Sequence, residues 1–191
     1  MLFVTYSILR VTTGGACPNP ELVPGFVSND YLGIWYEMRR DKEIPFESGE
    51  CVTAQYKLNA DGTVQVDNNQ FYGYYDGSSD MQGGLGEAQI NNWFGGKLYV
   101  YFFAQIGGLY RILDTDYTNY AVIWTCEDFA GIRYDEAAWV LTRTALVDGS
   151  SAWNSMYSTA DAIYKSHVPD YDHANRMRTT QQGGSCSYFT T

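Results

Sequence analysis

The feature that most constrains this chain is its hydrophobic rhythm: from residue 35 to residue 142, short alternating runs succeed one another, each cut off by a turn signal. The runs are 35–40, 52–58, 63–72, 85–90, 97–103, 110–113, 120–126 and 137–142. Alternation with a period of two puts every second side chain on one face of a sheet. Val64, Val66, Asn68, Gln70 and Tyr72 share a face in this way. In 97–103, Leu98, Val100 and Phe102 alternate with Tyr99, Tyr101 and Phe103, so either face can turn inward. Asp61-Gly62, Gly95-Gly96 and Gly107-Gly108 supply turns, the first a strong hairpin signal. Many short strands at this spacing predict an all-β barrel or sandwich.

The period then changes. Trp153, Met156, Tyr157, Ala160, Ile163 and Tyr164 fall at helical spacing, which predicts one amphipathic helix over 151–165. Ser150 or Ser151 is its cap and Pro169 its stop. Residues 17–30 contain Pro18, Pro20 and Pro24 and read as extended coil. The polar tail 171–191 reads as coil with room for a short strand. There is no repeat and no long linker, so 17–191 is expected to be one domain. Residues 1–16 are an apolar run closed by Gly14, Gly15 and Ala16: either the remnant of a secretory signal or an N-terminal extension. No stretch has the roughly 18 apolar residues of a membrane helix.

Charge and cysteines narrow the function classes. Twelve Lys and Arg stand against 22 Asp and Glu, a formal charge of −10. That argues against nucleic acid and against an anionic membrane surface, which cations recognise. Cys17, Cys51, Cys126 and Cys186 form no Cys-x-x-Cys pair and lie at no zinc-finger spacing from His167 or His173, so no metal site is expected. An even, widely spread set fits two disulfides formed in an oxidising compartment, with three connectivities open. Both histidines follow the last strand and are expected at the surface.

Three motifs then coincide in order. They are Tyr31-Leu32-Gly33-Ile34-Trp35-Tyr36-Glu37; Leu113-Asp114-Thr115-Asp116-Tyr117-Thr118-Asn119-Tyr120-Ala121; and Leu141-Thr142-Arg143. They resemble the Gly-x-Trp opening of the first strand, the Thr-Asp-Tyr turn between the seventh and eighth strands (G and H), and the late arginine of the lipocalin family. Cys17-Pro18-Asn19-Pro20, Gly49-Glu50-Cys51 and Asn119-Tyr120-Ala121-Val122 before Cys126 resemble the apolipoprotein D and bilin-binding branch. The resemblance covers about 17–186 and departs in the glycine-rich stretch 73–86 and the tail. It implies an eight-stranded antiparallel up-and-down β-barrel with one C-terminal α-helix packed outside. It also implies the bonds Cys17–Cys126 and Cys51–Cys186. Gly33, Trp35, Asp116, Tyr117 and Arg143 take structural roles at the closed end, with Arg143 over the Trp35 ring as a cation–π pair and Gly33 permitting a close approach.

The same resemblance places function inside the barrel, which at eight strands holds one small ligand. It nominates Tyr56, Asn68, Gln70 and Trp139 as polar and aromatic contacts, and Leu98, Val100 and Phe102 as apolar wall. Gln70 replaces a carboxylate of the family, so a charge-assisted contact is absent there. The expected ligand is a lipid such as a fatty acid, a retinoid, a carotenoid or a noncovalent bilin; no cofactor is required. Glu37 and Arg39 share a strand face with Trp35 and either pair inside or reach the rim. A secreted carrier or store with no catalytic residue is the leading reading. The alternative is a non-enzymatic interaction subunit with a filled barrel whose surface binds other chains, and homo- or hetero-oligomers fit both. An enzyme would need a free activated thiol or an acid–base pair, whereas Asp114 and Asp116 read as turn residues.

Overall fold

The computed structural model describes residues 15–44, 47–73, 79–89, 96–102, 106–184 and 186–188. Eight antiparallel strands follow in sequence: β1 (Gly33–Asp41), β2 (Glu50–Leu58), β3 (Val64–Gly73), β4 (Ser79–Gln89), β5 (Lys97–Phe102), β6 (Ile106–Thr115), β7 (Tyr120–Phe129) and β8 (Ile132–Thr142). Each pairs with the next, and β1 pairs with both β2 and β8, which closes the sheet into a barrel. Closure removes the sheet edges that would otherwise invite pairing with other chains.

Two hydrophobic layers result from the alternation. The inner layer holds Trp35, Tyr56, Val64, Val66, Leu98, Val100, Ile112, Ile123 and Leu141. The outer layer holds Met38, Leu113, Val122, Trp124, Ala138 and Val140, covered by the helix α2 (Ser151–His167) through Met156, Ala160, Ile163 and Tyr164. In β5 it is Leu98 and Val100 that turn inward, while Tyr99 is exposed. Ser150 caps α2, its Oγ accepting from the Trp153 amide at 3.2 Å. The Tyr164 hydroxyl reaches through the outer layer to the Trp139 and Ile123 carbonyls at 2.9 and 3.1 Å, fixing the helix to the barrel wall.

The strands β1 and β2 pair only over Gly33–Tyr36 and then splay. A short ninth strand, β9 (Met177–Thr179), takes the vacated edge of β1 opposite Arg39–Asp41. Beyond it the Gln182 side-chain amide donates to the carbonyls of Glu37 and Val52, spanning the two strands. The disulfide Cys51–Cys186 ties this tail to β2, and Cys17–Cys126 ties the N-terminal segment to β7. They enclose 135 and 109 residues of sequence separation, for which chain entropy gives about 4–5 kcal/mol each.

Several local features differ from the sequence expectation. Gly107-Gly108, expected as a turn, lies within β6 opposite Tyr101 and Val100. The segment 17–30 is expected as coil, but a single helical turn, α1 (Ser28–Tyr31), enters the barrel end. A second short turn, α3 (His173–Arg176), precedes β9. His173 is buried, not at the surface: its ring lies 5.3 Å from that of Tyr164 and its Nε2 is 2.8 Å from Asp161 Oδ1. The turn is capped by Asp172, a short-range side-chain interaction that periodicity does not register. The expectation for residues 1–16 falls mostly outside the described residues.

Candidate functional site

The barrel interior is built from its closed end upward. Arg143, just past β8, lies with its guanidinium carbon 3.6 Å from the centroid of the Trp35 ring. It also donates to three carbonyls, those of Tyr117, Ile34 and Asp30, at 2.9, 2.9 and 3.0 Å. A planar fork of donors can meet three acceptors and a ring face together. Gly33 has φ +99°, and a Cβ there would come within 3.3 Å of Arg143. Both facts favour glycine at that position. Asp116 binds the turn between β6 and β7, one strand earlier than the seventh-to-eighth position that the resemblance implies, and accepts from the amides of Thr118, Asn119 and Tyr120. Partial burial acts against its ionisation, yet these bonds and the Asn119 side chain hold its carboxyl below the usual range. Tyr117, at φ +65°, accepts from the Val27 amide at 2.9 Å and so holds the entry to α1.

Above Trp35 the interior becomes aromatic and polar. Three tyrosines, Tyr31 of α1, Tyr56 of β2 and Tyr110 of β6, point their hydroxyls at one place. Tyr31 and Tyr110 are 3.0 Å apart at oxygen, and Tyr56 donates to Tyr110 at 3.2 Å. Burial raises all three phenols, Tyr56 to about 12, so the cluster is neutral. Trp139 of β8 lies 6.2 Å from Tyr110 between ring centroids. Its indole donates to the Glu47 carboxylate at 2.7 Å. Glu47 belongs to the β1–β2 loop, whose return into the mouth is fixed by Gly49: its amide donates to Gln70 and its carbonyl accepts from Arg40 and Arg178. Burial, then the nearby Glu37 carboxylate, push the Glu47 carboxyl up to about 8. Tyr110 and Glu47 are both half-buried, and so keep accessible surface beside the inner layer.

The residues nominated from sequence fall as follows. Tyr56, Leu98, Val100 and Trp139 lie in the inner layer with Trp35. Asn68 and Gln70 continue the face of Val64 and Val66 towards the mouth. The Asn68 Oδ1 is buried with no hydrogen-bond partner. The backbone of Phe102 pairs with Gly86 and Ile106; its side chain lies outside the described residues. The question of Glu37 and Arg39 resolves through a register shift between them. Such a bulge reverses the alternation, so Arg40, not Arg39, joins Glu37 in a buried ion pair with Thr180. Arg39 turns outward over the Tyr157 ring of α2 at 4.7 Å. Sequence reasoning missed Tyr31, Tyr110 and Glu47. Tyr110 shares its strand parity with the buried Ile112 and so carried a usable signal, whereas Tyr31 ends a single helical turn before an extended Leu32 and lies in no periodic run. Glu47 sits in an aperiodic loop and carried none.

Comparison with known proteins follows this geometry. Residues 28–167 match the model of the Lipocalin-like domain. Apolipoprotein D of Rattus norvegicus is 34% identical over 184 residues, covering 92% of this chain and 95% of that one. The fold is similar to that of insecticyanin from the tobacco hornworm Manduca sexta, with TM-score 0.68 at 22% identity over 90% of this chain and 89% of the other. It is equally similar to lobster apocrustacyanin A1, with TM-score 0.68 at 21% identity over 93% and 96%.

Proposed function

The chain belongs to the lipocalin family, and from that premise we infer that its barrel binds and carries a small hydrophobic molecule between the tyrosine cluster and the mouth. The observation that carries this is the set Tyr110, Trp139 and Glu47: polar and aromatic groups enclosed by the barrel and still accessible. Apolar walls with a few fixed polar groups suit such a ligand. Tyr56, Asn68, Gln70 and Trp139 are the proposed contacts, with Leu98, Val100 and Phe102 as wall. The ligand class comprises lipids, retinoids, carotenoids and bilins. Every cysteine is in a disulfide, so a bilin would be held without a thioether, and a thiol-dependent synthase reaction has no nucleophile. Carriage rather than catalysis is therefore the reading. The two disulfides support secretion into an oxidising compartment. The interaction-subunit reading is not favoured.

The test is to purify the protein from its native source, record its absorption spectrum and analyse its solvent extract by mass spectrometry. The expected result is one apolar compound, near one per chain, with a visible band if the compound is conjugated. A stripped protein that takes up no apolar compound on titration would overturn the reading.

A further inference from the structure

Resting on the carriage reading, we propose that the ligand is an uncharged apolar molecule whose polar end is a hydroxyl or N–H donor, and that the barrel rejects the corresponding carboxylate. Twelve side chains could neutralise a ligand carboxylate, and their positions decide the matter. Among the described residues Arg40 is the cation beside Glu37 and Glu47; its charge is paired with Glu37, and its two terminal nitrogens are taken by Glu37, Thr180 and the Gly49 carbonyl, while its buried Nε has no partner. Arg143 closes the opposite end on Trp35 and three carbonyls. Arg39, Arg111, Arg133, Arg176 and Arg178 are engaged away from the interior, by the ring of Tyr157, the ring of Trp124 and the Cys126 carbonyl, Glu136, Asp41 and Glu50 respectively. Lys42 and Lys165 bond at the surface, to the Asn175 carbonyl and to Asp161. Lys97 is exposed, and Lys57 alternates with the inward Tyr56. From residue 58 to residue 96, which includes β3 and β4 and the stretches about them outside the described residues, the sequence has no Lys, Arg or His at all, while Asp61, Asp67, Asp76, Asp80 and Glu87 are there. Only Arg10 is left, and it lies outside the described residues.

What the interior offers instead is neutral polar groups, with one buried acceptor among them unpaired. The Asn68 Oδ1 is buried without a partner. Glu47 accepts from Trp139 through Oε2, and its raised carboxyl, like the phenols of Tyr56 and Tyr110, is a neutral group at pH 7.4 that brings no positive charge. An ionised carboxylate moved into such a site loses its hydration and gains no cation, a cost far larger than that of a neutral hydroxyl. A hydroxyl or N–H meets the unpaired Asn68 Oδ1.

Matched ligands isolate the end group: retinol against retinoate, and 1-dodecanol against dodecanoate, titrated into the purified, delipidated protein at pH 7.4 by fluorescence and calorimetry. The neutral member of each pair is expected to bind at least tenfold tighter. Equal or tighter binding of the carboxylates by the folded wild-type protein overturns this inference while leaving carriage intact. If no member of either pair binds, the carriage reading fails, and this inference falls with it.

Discussion

Arg143 is held by a ring face and three carbonyls at once, and its removal frees all four. Arg143→Ala is expected to cost about 2–4 kcal/mol, since buried acceptors lose a charged donor and the cation–π contact goes with it; urea unfolding measures this. Arg143→Lys should recover less than half, because one ammonium cannot meet three carbonyls in a fixed fork. Glu47 sets a second expectation. Its carboxyl is raised from 4.5 to about 8 in the folded state, by burial first and by Glu37 second. A raised acid binds its proton more tightly folded than unfolded, so its contribution to stability is complete below about pH 4.5 and is lost as pH rises to about 8. Glu47→Gln should therefore flatten the fall in unfolding free energy across that window, read from denaturation midpoints at successive pH values. An unchanged slope would refute the assignment.

At the scale of elements, parity governs the site, and one bulge redirects it. Strict alternation from Trp35 through Glu37 selects Arg39 as the inward cation, but the register shift after Glu37 hands that place to Arg40. A bulge depends on pairing with β8, which the sequence of β1 alone does not contain. The pairing of β3 with β4 is unshifted from Val64 to Gln70, and that of β5 with β6 is unshifted through Tyr110; the β2–β3 shift opposite Gln70 lies on β2 and the β6–β7 shift lies past Ile112, so alternation in the sequence serves these faces. The tail is a different case. The short strand β9 forms because β1 and β2 splay and leave an edge, and Cys51–Cys186 holds it there. Replacing both Cys51 and Cys186 by Ser should lower stability by about 2–5 kcal/mol, seen by calorimetry, and expose 177–188 to limited proteolysis before the barrel unfolds. Tyr164→Phe, which removes the hydroxyl lying against two barrel carbonyls, should cost about 1 kcal/mol.

Across the whole molecule, closure of the barrel sets an inner layer apart from an outer one, and among the described residues Arg40 and Arg143 are the cations that join the inner groups. On the proposed carriage, Trp139→Ala should weaken ligand binding at least tenfold, with a smaller loss of stability, because its ring packs on the inner layer beside Tyr110 and its indole anchors Glu47; paired ligand titration and unfolding curves separate the two effects. The sequence by itself determined the strand succession, the late helix and the inward runs of β3, because alternation and helical spacing are local properties of the chain. Its three motifs determined the family, and through it the disulfide partners and the Arg143–Trp35 contact. Only the tertiary structure decided that Tyr31, Tyr56 and Tyr110 meet, that Glu47 folds back onto Trp139 and that Arg40 replaces Arg39. These depend on distances between residues up to 92 positions apart and on a bulge set by a partner strand. No period in the sequence encodes a meeting across the barrel.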